Sequence, residues 1–146
     1  MNPNDGPLPK DILSYRLPGG WTVLAGRTDA ANDYLSFKLA RAKDLWFHIS
    51  GMPGSHVVLR ARSDAAPDKA SIQLAASIAA YHSRARSGGV VPVGWTEAKH
   101  VSKPRGAKPG TVTIAKDAVI KVRPITAAAL AELKRAHDEA AGETAD

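Results

Sequence analysis

The chain has 146 residues, with 20 Lys and Arg against 14 Asp and Glu for a formal charge of +6, and no cysteine. That length suits one domain, the missing thiols exclude disulfides and thiolate metal sites, and no apolar run reaches the roughly 18 residues of a membrane helix. The start, MNPNDGPLPK, has neither the basic end nor the apolar core of an export signal, so a cytoplasmic protein with no membrane contact is expected.

The first ten residues hold three Pro and one Gly and read as a flexible lead-in to a single domain over 11–141; residues 142–146 read as a frayed acidic tail. Ile12 to Gly26 contains two extended runs around Pro18-Gly19-Gly20, the chemistry of a hairpin turn. A short helix follows over 32–42, with Asn32 as its cap and Leu35, Leu39 and Ala42 on one side. Residues 44–49 and 56–61 are strands. PDKASIQLAASIAAYHSRAR predicts a long helix that opens at Pro67, with Arg84 and Arg86 complementing its dipole and Gly88 closing it. Three short strands follow in VVPVGWTEA, TVTIA and VIKVR, and Thr126 opens a last helix bearing Ala129, Leu130, Leu133 and Ala136. This order predicts an α+β fold: a mainly antiparallel sheet of short strands with two or three helices collected on one side.

The stretch DLWFHISGMPGSHVVLR, residues 44–60, is chemically dense. Alternation puts Leu45, Phe47 and Ile49 on a core face and Asp44, Trp46 and His48 on the other. Met52-Pro53-Gly54-Ser55 fits a type II turn with Gly54 at the positive-φ position. Pairing His48 with His56 then faces Trp46 with Val58 and Asp44 with Arg60, whereas a one-residue slip faces them with Val57, Leu59 and Ala61. On such a face the indole either stacks on an unpaired base, with His48, His56 and Arg60 meeting phosphate and ribose, or packs under a helix while Asp44 holds a neighbouring group. The same residues admit two enzymatic readings. One is a divalent metal on Asp44, His48 and His56, with or without His100, for which no recognised spacing is present. The other is acid–base cleavage or modification of RNA by Asp44, His48 and His56. Neither metal nor cofactor is expected.

Charge is unevenly spread: residues 87–123 carry seven basic and two acidic side chains, and 124–146 carry two and five. KHVSKPRGAKPGTV, residues 99–112, sets Lys99, Lys103, Arg105 and Lys108 among two Pro and two Gly, which forbids a continuous helix and predicts a constrained loop that meets phosphate. A solvated basic surface is the plainer reading, and the same face admits DNA.

Three blocks, GRTDAANDYLSFKLARAKDLWFHISGMPGSHVVLR, AASIAAYHSRAR and EAKHVSKPRGAKPGTV, occur in an order that resembles the NFACT RNA-binding domain, NFACT-R, over most of residues 12–123. The resemblance implies an RNA-binding module related to the C-terminal part of ribosome quality-control factors, which engage tRNA on obstructed large subunits. Its expected partners are tRNA or ribosomal RNA, and the ribosome. Arg27, Asn32, Asp44, Trp46, His48, Ser55 and His56 match the first block, and Lys99 and Lys103 match the last. Thr28 departs from the Asn common in the family. The other parts of the full-length factors do not fit in 146 residues, so a standalone form of the domain is expected.

Overall fold

The computed structural model describes residues 9–144; the remaining lead-in and the last two residues of the acidic tail lie outside them. The chain opens with the predicted hairpin, β1 (Ile12–Arg16) against β2 (Thr22–Gly26), paired from Ile12 with Gly26 to Arg16 with Thr22. Gly19 and Gly20 both adopt positive φ in its turn, which explains their place there.

Helix α1 (Asp29–Tyr34) begins three residues before the predicted start. Thr28, not Asn32, is its cap: the Thr28 hydroxyl accepts the Ala31 N–H at 3.0 Å. The departure from the family's Asn therefore keeps an acceptor at this position. The helix continues as a π-helical turn, Leu35–Leu39, in which the Ala40 N–H reaches back five residues to the Leu35 carbonyl. This wider winding turns Leu35, Ser36 and Leu39 inward together.

Strands β3 (Leu45–Ile49) and β4 (Val57–Leu59) pair antiparallel, with Trp46 opposite Val58 and Phe47 opposite Val57. This is the register that places Asp44 across from Arg60. The connecting turn differs from the prediction: the positive φ falls on Gly51 and not on Gly54. Gly54 is instead bridged to Ser83, and the Ser55 N–H donates to the His82 carbonyl at 2.9 Å. A side chain at Gly54 would come within 2.8 Å of Ile49, so tertiary crowding sets the glycine there.

Helix α2 (Lys69–Tyr81) is capped by Asp68, whose carboxylate accepts the Ser71 N–H, and it ends before Arg84 and Arg86. Strand β5 (Val91–Glu97) follows, then a 3₁₀ turn at Ala98–His100. The two-residue strands β6 (Val101–Ser102) and β7 (Thr113–Ile114) form a small ribbon, and β8 (Ala118–Val122) joins the main sheet. Helix α3 (Ala127–Thr144) is opened by Thr126, which accepts the Ala129 N–H, and it carries helical backbone into the expected tail.

The six-stranded sheet runs β1-β2-β4-β3-β5-β8 with every neighbour antiparallel. The fold is α+β, but its helices cover both faces. Phe47, Ile49, Val57, Leu59 and Val93 pack under α2 and α3. Leu24, Trp46 and Val58 pack under α1 and its π-helical turn. The face expected to be polar is thus a second core, because the indole and its valine neighbour contribute about 1.5–3 kcal/mol each when fully buried.

Candidate nucleic-acid interface

Three candidate site residues of the dense 44–60 stretch are inside the protein together with its apolar residues. Trp46 and Asp44 are each 1% exposed and His56 is 2% exposed. Trp46 donates its indole N–H to the Ser36 hydroxyl at 3.0 Å, and that hydroxyl lies 2.8 Å from His56 Nδ1. The His56 backbone N–H donates to the buried Asn32 side chain at 3.0 Å. Gly26 makes room for that amide, since a Cβ there would sit 2.2 Å from Asn32 Oδ1. Burial lowers the His56 pKa to about 4, with His48 adding repulsion. The indole can only donate, so the Ser36 hydroxyl accepts from Trp46 and shares its second hydrogen bond with the neutral His56 ring. His48 is half-buried, stacks on Trp46 with ring centroids 5.9 Å apart, and meets His56 edge-on. Burial lowers its pKa as well.

Asp44 does other work. Its carboxylate accepts the Ala61 N–H at 2.7 Å, the Arg41 N–H at 2.9 Å and Arg60 Nη1 at 3.1 Å, while Arg60 also donates to the Leu39 carbonyl. The acid and the guanidinium pin the exit of the π-helical turn to the end of β4.

These placements correct the base- and phosphate-contact reading at Asp44, Trp46 and His56, which are buried and hydrogen-bonded inside, and bear out the alternative in which the indole packs under a helix while Asp44 holds a neighbouring group. Asn32 is buried with its Oδ1 accepting the His56 N–H, and Arg60 is ion-paired with Asp44, so both also act internally. They also separate the proposed acid–base set, because Asp44 bonds Arg60 and backbone while His56 bonds Ser36 and His48 stacks on Trp46. No group of three or more His, Asp or Glu placed to hold a metal ion occurs among the described residues.

The surface above this core is cationic. The loop after β6 is folded onto α1 by Asp33, which accepts Lys103 Nζ at 2.6 Å and the Gly110 N–H at 2.8 Å. Lys103 also donates to the Lys108 carbonyl. Burial opposes ionisation of Asp33, but the hydrogen bonds from Lys103 and Gly110 outweigh it and hold its pKa below the ordinary value. The Gly110 backbone also acts on the His56 ring, so loop and imidazole are neighbours across the second core. Arg105 and Lys108 are exposed on this loop, and Lys99 is exposed 3.7 Å from Glu97.

Next to the loop lies a cleft of about 360 Å³ between the start of α1, the 53–55 segment and the end of α2. Arg27, Ser55, His82, Arg84 and Arg86 line it. The sequence reading had included Arg27 and Ser55 but treated Arg84 and Arg86 as helix-end charges and passed over His82. The bridge from Gly54 to Ser83 is what brings them together. The only local signal was the density of Tyr, His and Arg after the Ala-rich helix.

A sandwiched antiparallel sheet whose second core is sealed by a Trp–Ser–His network, with a clamped basic loop near an arginine cleft, defines an α+β domain with a cationic face. Residues 13–116 match the family model described as NFACT protein RNA binding domain, and the chain belongs to that family. It is 41% identical over 113 residues to the Rqc2 homolog RqcH of Bacillus subtilis, covering 77% of this chain and 19% of the relative. It is 41% identical over 106 residues to the Rqc2 homolog RqcH of Streptococcus suis, covering 73% and 19%. The chain therefore spans about a fifth of the length of these curated relatives. The solved C-terminal part of the fibronectin/fibrinogen-binding protein from Streptococcus suis superposes with a TM-score of 0.79 at 37% identity, over 86% of this chain and 50% of that one.

Proposed function

We propose that this domain binds structured RNA, tRNA or ribosomal RNA, in the cytoplasm and in connection with ribosome quality control. The carrying observation is the Asp33 clamp, which holds the 103–110 loop, with exposed Arg105 and Lys108, against α1; Gly110 of that loop approaches Asp29, which lines the Arg27 cleft. A loop fixed in this way loses little entropy when it meets a phosphate backbone, and each neutralised phosphate releases counterions. Arg27, Lys99, Arg105 and Lys108 contact phosphates. Lys103 orders the loop, and His48 lies at the edge of the surface. Membership of a family described as RNA binding supports the ligand class. The kinship with RqcH proteins supports the ribosomal setting.

Fluorescence anisotropy with a tRNA pool, ribosomal RNA fragments and duplex DNA, across a salt series, tests the proposal. Contacts with about four to six phosphates give a log–log salt slope of roughly −4 to −5, with RNA preferred over DNA and the labelled RNA intact with or without chelator. Salt-independent binding, tighter binding of DNA, or cleavage of the RNA would each overturn it.

A further inference from the structure

We infer that the cleft between α1 and the end of α2 is a phosphate site, in which Arg84 and Arg86 join Arg27 around one phosphate group of the bound RNA. This rests on the RNA-binding reading above and extends it to two arginines with no role there.

Three guanidinium groups line the cleft against one carboxylate, Asp29. Asp29 borders the cationic loop, since a Cβ on Gly110 would come within 3.1 Å of its Oδ1. Arg27, Arg84 and Arg86 are exposed, and among the described residues none of them makes an ion pair. Unneutralised cations brought together by the fold repel one another, and an anion between them removes that repulsion. Guanidinium groups suit the task, because their planar fork matches two phosphate oxygens at once.

The cleft is also built. Arg86 lies over the Tyr81 ring with its guanidinium carbon 4.6 Å from the centroid, so its rotamer is supported before any ligand arrives. The Ser55 hydroxyl is carried on a segment stitched to α2 by the Gly54–Ser83 bridge and the Ser55 N–H to His82 carbonyl bond. His82 forms one wall, 2.9 Å from the Tyr15 hydroxyl. Its pKa falls to about 4, through burial first and then through Arg86 and Arg27, which places both positive charges close to the ring. The Tyr15 hydroxyl, pushed up to about 12 by burial, Tyr81 adding and Arg27 opposing, stays protonated and shares a hydrogen bond with that neutral ring. The groups facing His82 are thus Tyr15 from β1, Arg27 after β2, Tyr81 from α2 and Arg86 beyond it.

The experiment compares tRNA binding by the wild type, Arg84→Ala, Arg84→Ala/Arg86→Ala and the control Lys69→Ala, which removes the same charge at the opposite end of α2. The expected result is weaker tRNA binding for Arg84→Ala, a salt slope shallower by about one for the double variant, which loses the single phosphate contact, and unchanged affinity and slope for Lys69→Ala. Arg84 is exposed, so its variant folds even if loss of Arg86 disturbs Tyr81. A parallel NMR titration of the His82 ring should show its pKa rising when tRNA is added, because phosphate offsets Arg27 and Arg86. If Arg84→Ala behaves like the control, or the His82 pKa does not move, the cleft assignment falls while RNA binding stands. If the wild type binds no RNA, both fall.

Discussion

The ammonium of Lys103 sits 2.6 Å from the carboxylate of Asp33, across 70 residues of chain. That contact makes a Pro- and Gly-rich basic segment part of the folded surface, since the same carboxylate holds the Gly110 N–H through its other oxygen. Both side chains are partly exposed, so the pair contributes well under about 1 kcal/mol to global stability. Its effect is local order.

Asp33→Ala is therefore expected to leave the melting temperature nearly unchanged while hydrogen exchange at the Gly110 amide speeds up markedly. Because the folded-state pKa of Asp33 is lowered, the clamp persists above the ordinary carboxylate pKa of about 4 and is lost as pH falls below it. Gly110 exchange, corrected for its intrinsic pH dependence, reads both effects. Equal protection in the variant and the wild type would remove Asp33 from this role.

Ser36 is expected to be a stability residue and not a contact residue. Ser36→Ala strands the Trp46 N–H and His56 Nδ1 inside the second core, at about 1–3 kcal/mol for each unsatisfied group. Trp46→Phe removes one of the stranded groups, so the double variant should be less damaged than the sum of the singles, with a coupling of about 1 kcal/mol or more. Urea unfolding of the four proteins measures this. Strict additivity would mean that the two side chains do not share the hydroxyl.

The buried imidazoles set a pH window for stability. His56 and His82 titrate at about 4 in the folded protein against 6.5 for the ordinary side chain, and His48 is shifted in the same direction. Between those values the unfolded chain binds more protons, so stability is complete above pH 6.5 and declines as pH falls towards 4. Each imidazole contributes at most about 1.4 kcal/mol per pH unit over that window. Urea midpoints at pH 7, 5.5 and 4.5 should fall in order, and His82→Gln should flatten the decline. A midpoint independent of pH across this range would show that the rings are solvated.

Much of the architecture follows from local chemistry. Period-two alternation and paired glycines specify the β1–β2 hairpin, and alternation with the Trp46–Val58 register specifies β3 against β4. The Ala-rich run specifies α2, although the structure ends it at Tyr81, and the basic loop is recognisable from its prolines and lysines. The α+β class and the family are legible at this level, because secondary structure and motif order depend on neighbours along the chain.

What covers the second face of the sheet is a tertiary matter. Alternation says that Trp46 and His48 share a side; it cannot say that α1 will close over that side, because the deciding contact with Ser36 spans ten residues and depends on a π-helical turn. The same limit hid the arginine cleft. Arg27 and Arg84 are brought to one cavity by hydrogen bonds between the 53–55 segment and the end of α2. The sequence by itself determined which elements form and which charges are available; packing decided which polar groups are sealed inside and which face an anion, since burial and convergence are properties of the assembled chain.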